Sequence, residues 1–151
     1  MQTIIHELKY NGNINLALKM GELIGYNYML PIKNIDAVSF VPMHPTREKK
    51  RGYNQAQKLA EGFAFITGVK TMHLLKRVKN TETQTNKGVF ERFENMEDKF
   101  EVINLSEEIK HVLIIDDVIT TGATLAACAN KIIKKGIKVS LVCLAYRGLN
   151  S

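Results

Sequence analysis

The stretch "HVLIIDDVITTGATL" (residues 111–125) decides the fold. Val112, Leu113, Ile114 and Ile115 run without interruption into two adjacent aspartates, Asp116 and Asp117. An unbroken apolar run of this kind is the pattern of a strand buried on both faces. Residues 122–135 follow with helical spacing: Leu125, Ala126, Ala129, Ile132 and Ile133 form one stripe. Lys134 and Lys135 suit the negative end of that helix, and Gly136 stops it. "IKVSLVCLAY" (residues 137–146) reads as a second buried strand. Strand, helix and strand over residues 111–146 form one right-handed crossover, which implies parallel strands.

The rest of the chain extends this pattern. Residues 3–28 read as helical on either side of a turn at "YNGN" (10–13), with the second helix ending near Gly25. "DAVSFVP" (36–42) reads as a short buried strand closed by prolines. Residues 53–68 have Ala56, Leu59, Ala60 and Phe63 on one helical face, with Gly68 as the stop. "TMHLL" (71–75) reads as a strand, and the polar segment 76–100 as a long loop. The expected architecture is α/β: a parallel sheet flanked by helices, in a single domain over residues 1–151, with a flexible loop at about 76–100.

Composition limits the functional classes. The 151 residues are 45% hydrophobic and 24% charged, globular values that exclude wholesale disorder. There is no apolar run long enough to span a bilayer, and the first residues do not read as a secretory signal. The expectation is therefore a cytoplasmic protein without membrane insertion. Cys128 and Cys143 lie in apolar stretches and read as free buried thiols. The net charge is +6. Residues 91–108 hold seven acids against Arg92 and Lys99, leaving +11 on the remainder. The basic clusters "REKKR" (47–51) and "KRVK" (76–79) point to an anionic partner, a polyphosphate or a nucleic acid.

The central motif narrows the chemistry. Ligands of open α/β sheets bind beyond the C-terminal ends of the strands, where Asp116 and Asp117 fall. Alternation along a strand would turn one carboxylate to the sheet face and the other to the crevice. Carboxylates there accept from hydroxyls or hold a hydrated cation. Thr120, Thr121, Gly122, Ala123 and Thr124 then supply hydroxyls and backbone N–H groups at a helix N-terminus, a site for a phosphate monoester. A ribose 5-phosphate matches both halves. The Gly-Lys-Ser/Thr ending of a nucleotide-binding P-loop and the GxGxxG of a dinucleotide site are both absent. An acidic phosphoacceptor pocket would carry its paired acids near the start of the chain.

Residues 112–124 resemble the 13-residue phosphoribosyl pyrophosphate signature of type I phosphoribosyltransferases. Three further blocks resemble the competence protein ComF family, in that family's order: "LKYNGNINLALKMGELI" (8–24), "VPMHPTREKKRGYNQAQKLA" (41–60), and "KRVKNTETQ" (76–84) with Arg92 and Asn95. Family members usually begin with a four-cysteine zinc module, which is missing here. The loop also lacks a proline after its threonine and has Lys87 and Val89 where Leu and Arg are usual.

The resemblance implies roles. Asp116 and Asp117 would meet the ribose hydroxyls, and residues 120–124 the 5-phosphate. Arg51 would bind pyrophosphate, with Arg47 and His44 close by; Arg offers a bidentate fork that Lys lacks. His44 also reads as an ordinary turn histidine. Lys76 and Arg77 open the loop expected to close over the site. Mg²⁺ would arrive with the pyrophosphate rather than on a protein cage. The function implied is DNA uptake in natural transformation, with single-stranded DNA and competence-machinery proteins as partners and phosphoribosyl pyrophosphate as ligand. The alternative is a Mg²⁺-dependent phosphoribosyltransferase of nucleotide metabolism with an unnamed acceptor. Tyr53 and Phe63 could stack on bases, although their spacing fits a helix core better.

Overall fold

The computed structural model describes residues 13–28, 34–78 and 96–146. β5 (His111–Ile119) is a central strand because it is apolar on both sides. Val112 and Ile114 enter one core cluster with Leu125, Cys128 and Ile132. Leu113 and Ile115 enter another with Val38, Phe40, Leu59 and Phe63. Two cores on opposite faces of one sheet make a three-layer α/β structure.

β1 (Ala37–Phe40) pairs with β5 on one side and with β2 (Lys70–Thr71) on the other, and β6 (Lys138–Tyr146) completes the sheet. The order is β2-β1-β5-β6 and every pairing is parallel. α1 (Ile14–Tyr28) and α3 (Gln55–Thr67) cover one face. α4 (Ala123–Ile133) covers the other, together with an antiparallel ribbon of β3 (Leu75–Arg77) and β4 (Phe100–Val102). α2 (Pro45–Arg51) is a short helix between β1 and α3.

Several sequence expectations shift. The strand expected at 71–75 divides into β2 and β3: Met72 N–H still meets the Val38 carbonyl of β1 at 2.8 Å, but by Leu74 the backbone N–H meets the Ser39 hydroxyl instead, at 3.4 Å. The segment expected as loop from residue 76 starts as β3 and returns as β4, so both ends of it are paired backbone. Its middle, residues 79–95, lies outside the described residues, as does the helix expected before residue 13. Residues 45–51 form α2, which composition hid because the helix has no buried residue and no apolar stripe.

α1 and α3 cross at glycine. A Cβ on Gly62 would sit 2.1 Å from the Leu18 carbonyl oxygen, and one on Gly21 would sit 2.1 Å from the Leu59 carbonyl oxygen. Neither position tolerates a side chain, since the clashing atoms are backbone. At the opposite end of the sheet, one oxygen of Asp36 accepts the N–H groups of Lys110 and His111, both at 2.8 Å, pinning the start of β5 beside β1. The His111 ring bridges the Asn34 carbonyl at 3.0 Å and the Ser140 hydroxyl at 2.8 Å, so the same end is also tied to β6.

Two outcomes follow. Gly62→Ala is expected to cost about 3 kcal/mol in overpacking, partly offset by ~1 kcal/mol of helix propensity. A thermal melt should drop by roughly 4–8 °C for that net loss, and an unchanged melt would contradict the close crossing. The backbone donors of Lys110 and then His111 hold the Asp36 carboxyl below its ordinary range. Its contribution is therefore present above the unfolded pKa and is lost as pH falls through the folded one. Asp36→Ala should melt earlier than the parent at neutral pH, with the gap closing below about pH 4.

Candidate functional site

The C-terminal ends of β1 and β5 open on a cavity of about 230 Å³. One wall is residues 116–125, from the two aspartates through the first turn of α4. The other wall is residues 41–44 with Arg47, Arg51, Asn54 and Gln55, and Arg77 reaches it from the ribbon. Asp116, Asp117, Thr120, Thr121, Gly122, Ala123, Thr124, Arg51 and His44, all separately proposed from sequence, line this one cavity.

The acids are held by their own strand. Asp116 Oδ1 accepts the Asp117 N–H at 2.8 Å, and Asp117 Oδ1 accepts the Val118 N–H at 2.8 Å. Both residues line the cavity, where simple alternation had one on the sheet face. The strand runs on to Ile119, so the acids precede its end rather than forming it.

Gly122 has φ +78, a conformation that disfavours any Cβ, and it starts α4 with no side-chain cap. The Ala123 N–H has a 3.4 Å contact with the Thr121 hydroxyl. An uncapped first turn leaves N–H groups directed outward, with the positive end of the helix dipole behind them.

The opposite wall is built by the "RGYNQ" stretch. Gly52 ends α2 in the left-handed conformation, and Asn54 starts α3. Asn54 Oδ1 accepts the Ala56 N–H at 3.0 Å, while its amide donates to the Val41 carbonyl at 3.0 Å. One buried side chain thus caps α3 and fastens it to the end of β1. Arg51 donates to Gln55 Oε1 at 3.4 Å. Asn54 and Gln55 were missed as site residues; their signal was two uncharged polar residues at the start of an amphipathic helix. His44 caps α2: its Nδ1 accepts the Thr46 N–H at 3.3 Å, which leaves the proton on Nε2. It is both a turn residue and part of the wall.

Lys76 and Arg77 separate, because neighbours on a strand point to opposite faces. The Arg77 guanidinium lies 5.7 Å from the centre of the Phe100 ring and lines the cavity. Burial first, and then the like charge of Arg47, lower its pKa from the ordinary arginine value. Arg47, Arg51 and Arg77 therefore converge on one space. Lys76 instead pairs with Glu101 at 2.7 Å and is absent from the cavity wall. Tyr53 and Phe63 are buried, so neither presents a ring for stacking. Burial raises the Tyr53 pKa; Arg51 opposes that and Asp117 adds to it. Cys128 is buried, Cys143 half-buried, and both are free thiols. Burial and then Asp116 push both thiols up, which keeps them neutral.

The architecture is that of the type I phosphoribosyltransferases. The allosteric regulatory enzyme of purine biosynthesis superposes with a TM-score of 0.57 at 16% identity, covering 85% of this chain and 26% of that one. An adenine phosphoribosyltransferase gives 0.54 at 14%, covering 91% and 71%. No protein-family model matches the chain. Its sequence is 32% identical over 143 residues to competence protein ComFC of Bacillus subtilis, covering 93% of this chain and 57% of the relative. It is 32% identical over 110 residues to competence protein F of Haemophilus influenzae, covering 71% and 48%. It is 26% identical over 142 residues to the DNA utilization protein YhgH of Salmonella typhi, covering 90% and 62%. The chain is a ComF homologue with a phosphoribosyltransferase fold, spanning about half to three fifths of the length of these curated relatives.

The division between the two loop-root cations is directly measurable. Arg77→Ala should weaken inorganic pyrophosphate binding by calorimetry about 10- to 100-fold, the worth of a charged hydrogen bond. Lys76→Ala should leave it within twofold. Equal losses would mean that both cations reach the anion.

Proposed function

We propose that this chain binds phosphoribosyl pyrophosphate together with Mg²⁺ in the cavity between β1 and β5, and that it serves DNA uptake in natural transformation by handling single-stranded DNA in the cytoplasm. The observation that carries the ligand is the convergence of paired carboxylates, an uncapped helix turn and three guanidiniums on one small space. The carboxylates of Asp116 and Asp117 match a vicinal diol, the N–H groups of residues 120–124 a phosphate monoester, and Arg47, Arg51 and Arg77 a pyrophosphate. A sugar carrying all three groups satisfies the whole lining at once.

The residues also fit the metal. Among the described residues no cluster of three or more metal-ligating side chains exists. Mg²⁺ characteristically takes one or two carboxylates and completes its shell with water and substrate phosphates, so two aspartates beside a pyrophosphate site suffice. Bound there, the ion neutralises charge on the pyrophosphate. The protein's own part is positioning and charge complementarity, with Arg77 held by Phe100 and Arg51 by Gln55 before any ligand arrives.

The DNA assignment rests on the relatives, two of which are named as competence proteins and one as a DNA utilization protein. Partners within the competence machinery follow from the same reading. No helix among the described residues is long and apolar enough to cross a membrane. The alternative, a transferase of nucleotide metabolism, uses the same donor half of the site and differs only in having an acceptor.

Calorimetry with phosphoribosyl pyrophosphate and Mg²⁺ should show binding that Asp117→Ala weakens tenfold or more. Unchanged affinity in that variant would remove the site assignment. Pyrophosphate release with any member of a panel of free bases would establish the transferase reading.

A further inference from the structure

The positive charge of this chain is not spread evenly once its partners are counted. Lys19, Lys58, Lys76, Lys131 and Lys134 each pair with a carboxylate. Glu97 and Asp98, within the acidic stretch, absorb the last two. Among the described residues, Arg47, Lys49, Lys50 and Arg51 enter none of these pairs. They occupy four of the seven positions of α2, whose single acid is Glu48.

The helix divides these cations by face. Arg47 and Arg51, four residues apart, stand on the side that lines the cavity. Lys49 and Lys50 are exposed and lie outside the lining. Lys110 and Lys138, at the starts of β5 and β6, are at the far edge of the sheet. A helix of this length is only about 10 Å long, so the outer lysines and the cavity arginines can meet neighbouring phosphates of one chain.

We propose that Lys49 and Lys50 on the outer face of α2 bind the phosphate backbone of a single-stranded polynucleotide, and that this strand competes with phosphoribosyl pyrophosphate for Arg47 and Arg51. The proposal rests on the reading of the cavity given above and adds the place of the strand and its antagonism with the sugar ligand. The cavity itself selects against an internal nucleotide: its paired acids match a vicinal diol and its helix turn a phosphate monoester, whereas an internal DNA residue has neither. The strand therefore lies along the rim and reaches inward only as far as the two arginines. Ligands that share those cations oppose one another by the same factor in each direction.

The test uses the whole chain and a fluorescent oligothymidylate, followed by anisotropy at constant free Mg²⁺ and ionic strength. Lys49→Ala/Lys50→Ala should weaken oligonucleotide binding tenfold or more and lower the salt-dependence slope by about 1.4. The same variant should bind phosphoribosyl pyrophosphate within twofold of the parent by calorimetry. Saturating phosphoribosyl pyrophosphate should weaken the oligonucleotide several-fold on the parent. A double variant that binds the oligonucleotide as the parent does would overturn the surface. Oligonucleotide affinity indifferent to saturating phosphoribosyl pyrophosphate would overturn the competition. Absence of any calorimetric signal for phosphoribosyl pyrophosphate on the parent would instead overturn the cavity reading, and the competition with it.

Discussion

β5 is the constraint on which the other elements depend. It is apolar on both faces through Ile115 and acidic in the next two residues. Burial of the first half removes apolar side chains from water on two sides of the sheet, at about 25 cal/mol per Å² of apolar surface. Ionised carboxylates could not follow into either core without a large desolvation cost. The boundary between Ile115 and Asp116 therefore sets where the core ends and where the cavity begins. β1 and β6 take their registers from this strand, and α4 leaves it after a single turn of small residues.

Charge organises what burial leaves outside. Three guanidiniums approach one another from separate elements, two from α2 and one from the ribbon. Like charges do not converge without cause: burial first, and then the like charge of Arg47, lower the pKa of Arg77. Each arginine found to be braced is held by a different device: Arg77 by an aromatic ring and Arg51 by an amide. Holding the donors before a ligand arrives reduces what binding must spend on ordering them. The acidic stretch acts in the other sense, tying Lys131 and Lys134 near the end of α4 through Asp98 and Glu97.

The crossover unit was legible because its strands read as unbroken apolar runs, whereas its helix carries an apolar stripe at 3.6-residue spacing. α3 was legible for the same reason, and its boundaries moved only from 53–68 to Gln55–Thr67. α2 was not, since a helix with no buried residue has no period to read. The contact of Gly21 and Gly62 was also invisible: a glycine within a helical pattern looks like a weakness until the second helix is seen at 2.1 Å from where its Cβ would be. Of the two cations assigned to one loop, only Arg77 reached the cavity, because a strand turned the other away.

By itself the sequence determined the crossover unit, the parallel sheet and one wall of the cavity, because that wall is contiguous: residues 116–124 carry acids, hydroxyls and a glycine in one run. Only the tertiary structure decided the facing wall. Its members come from the end of β1, from α2, from the start of α3 and from β3, separated by as many as 36 residues between Val41 and Arg77. Proximity across such separations is set by the packing of α1 on α3 and by the pairing of β3 with β4, both long-range contacts with no local pattern that announces them.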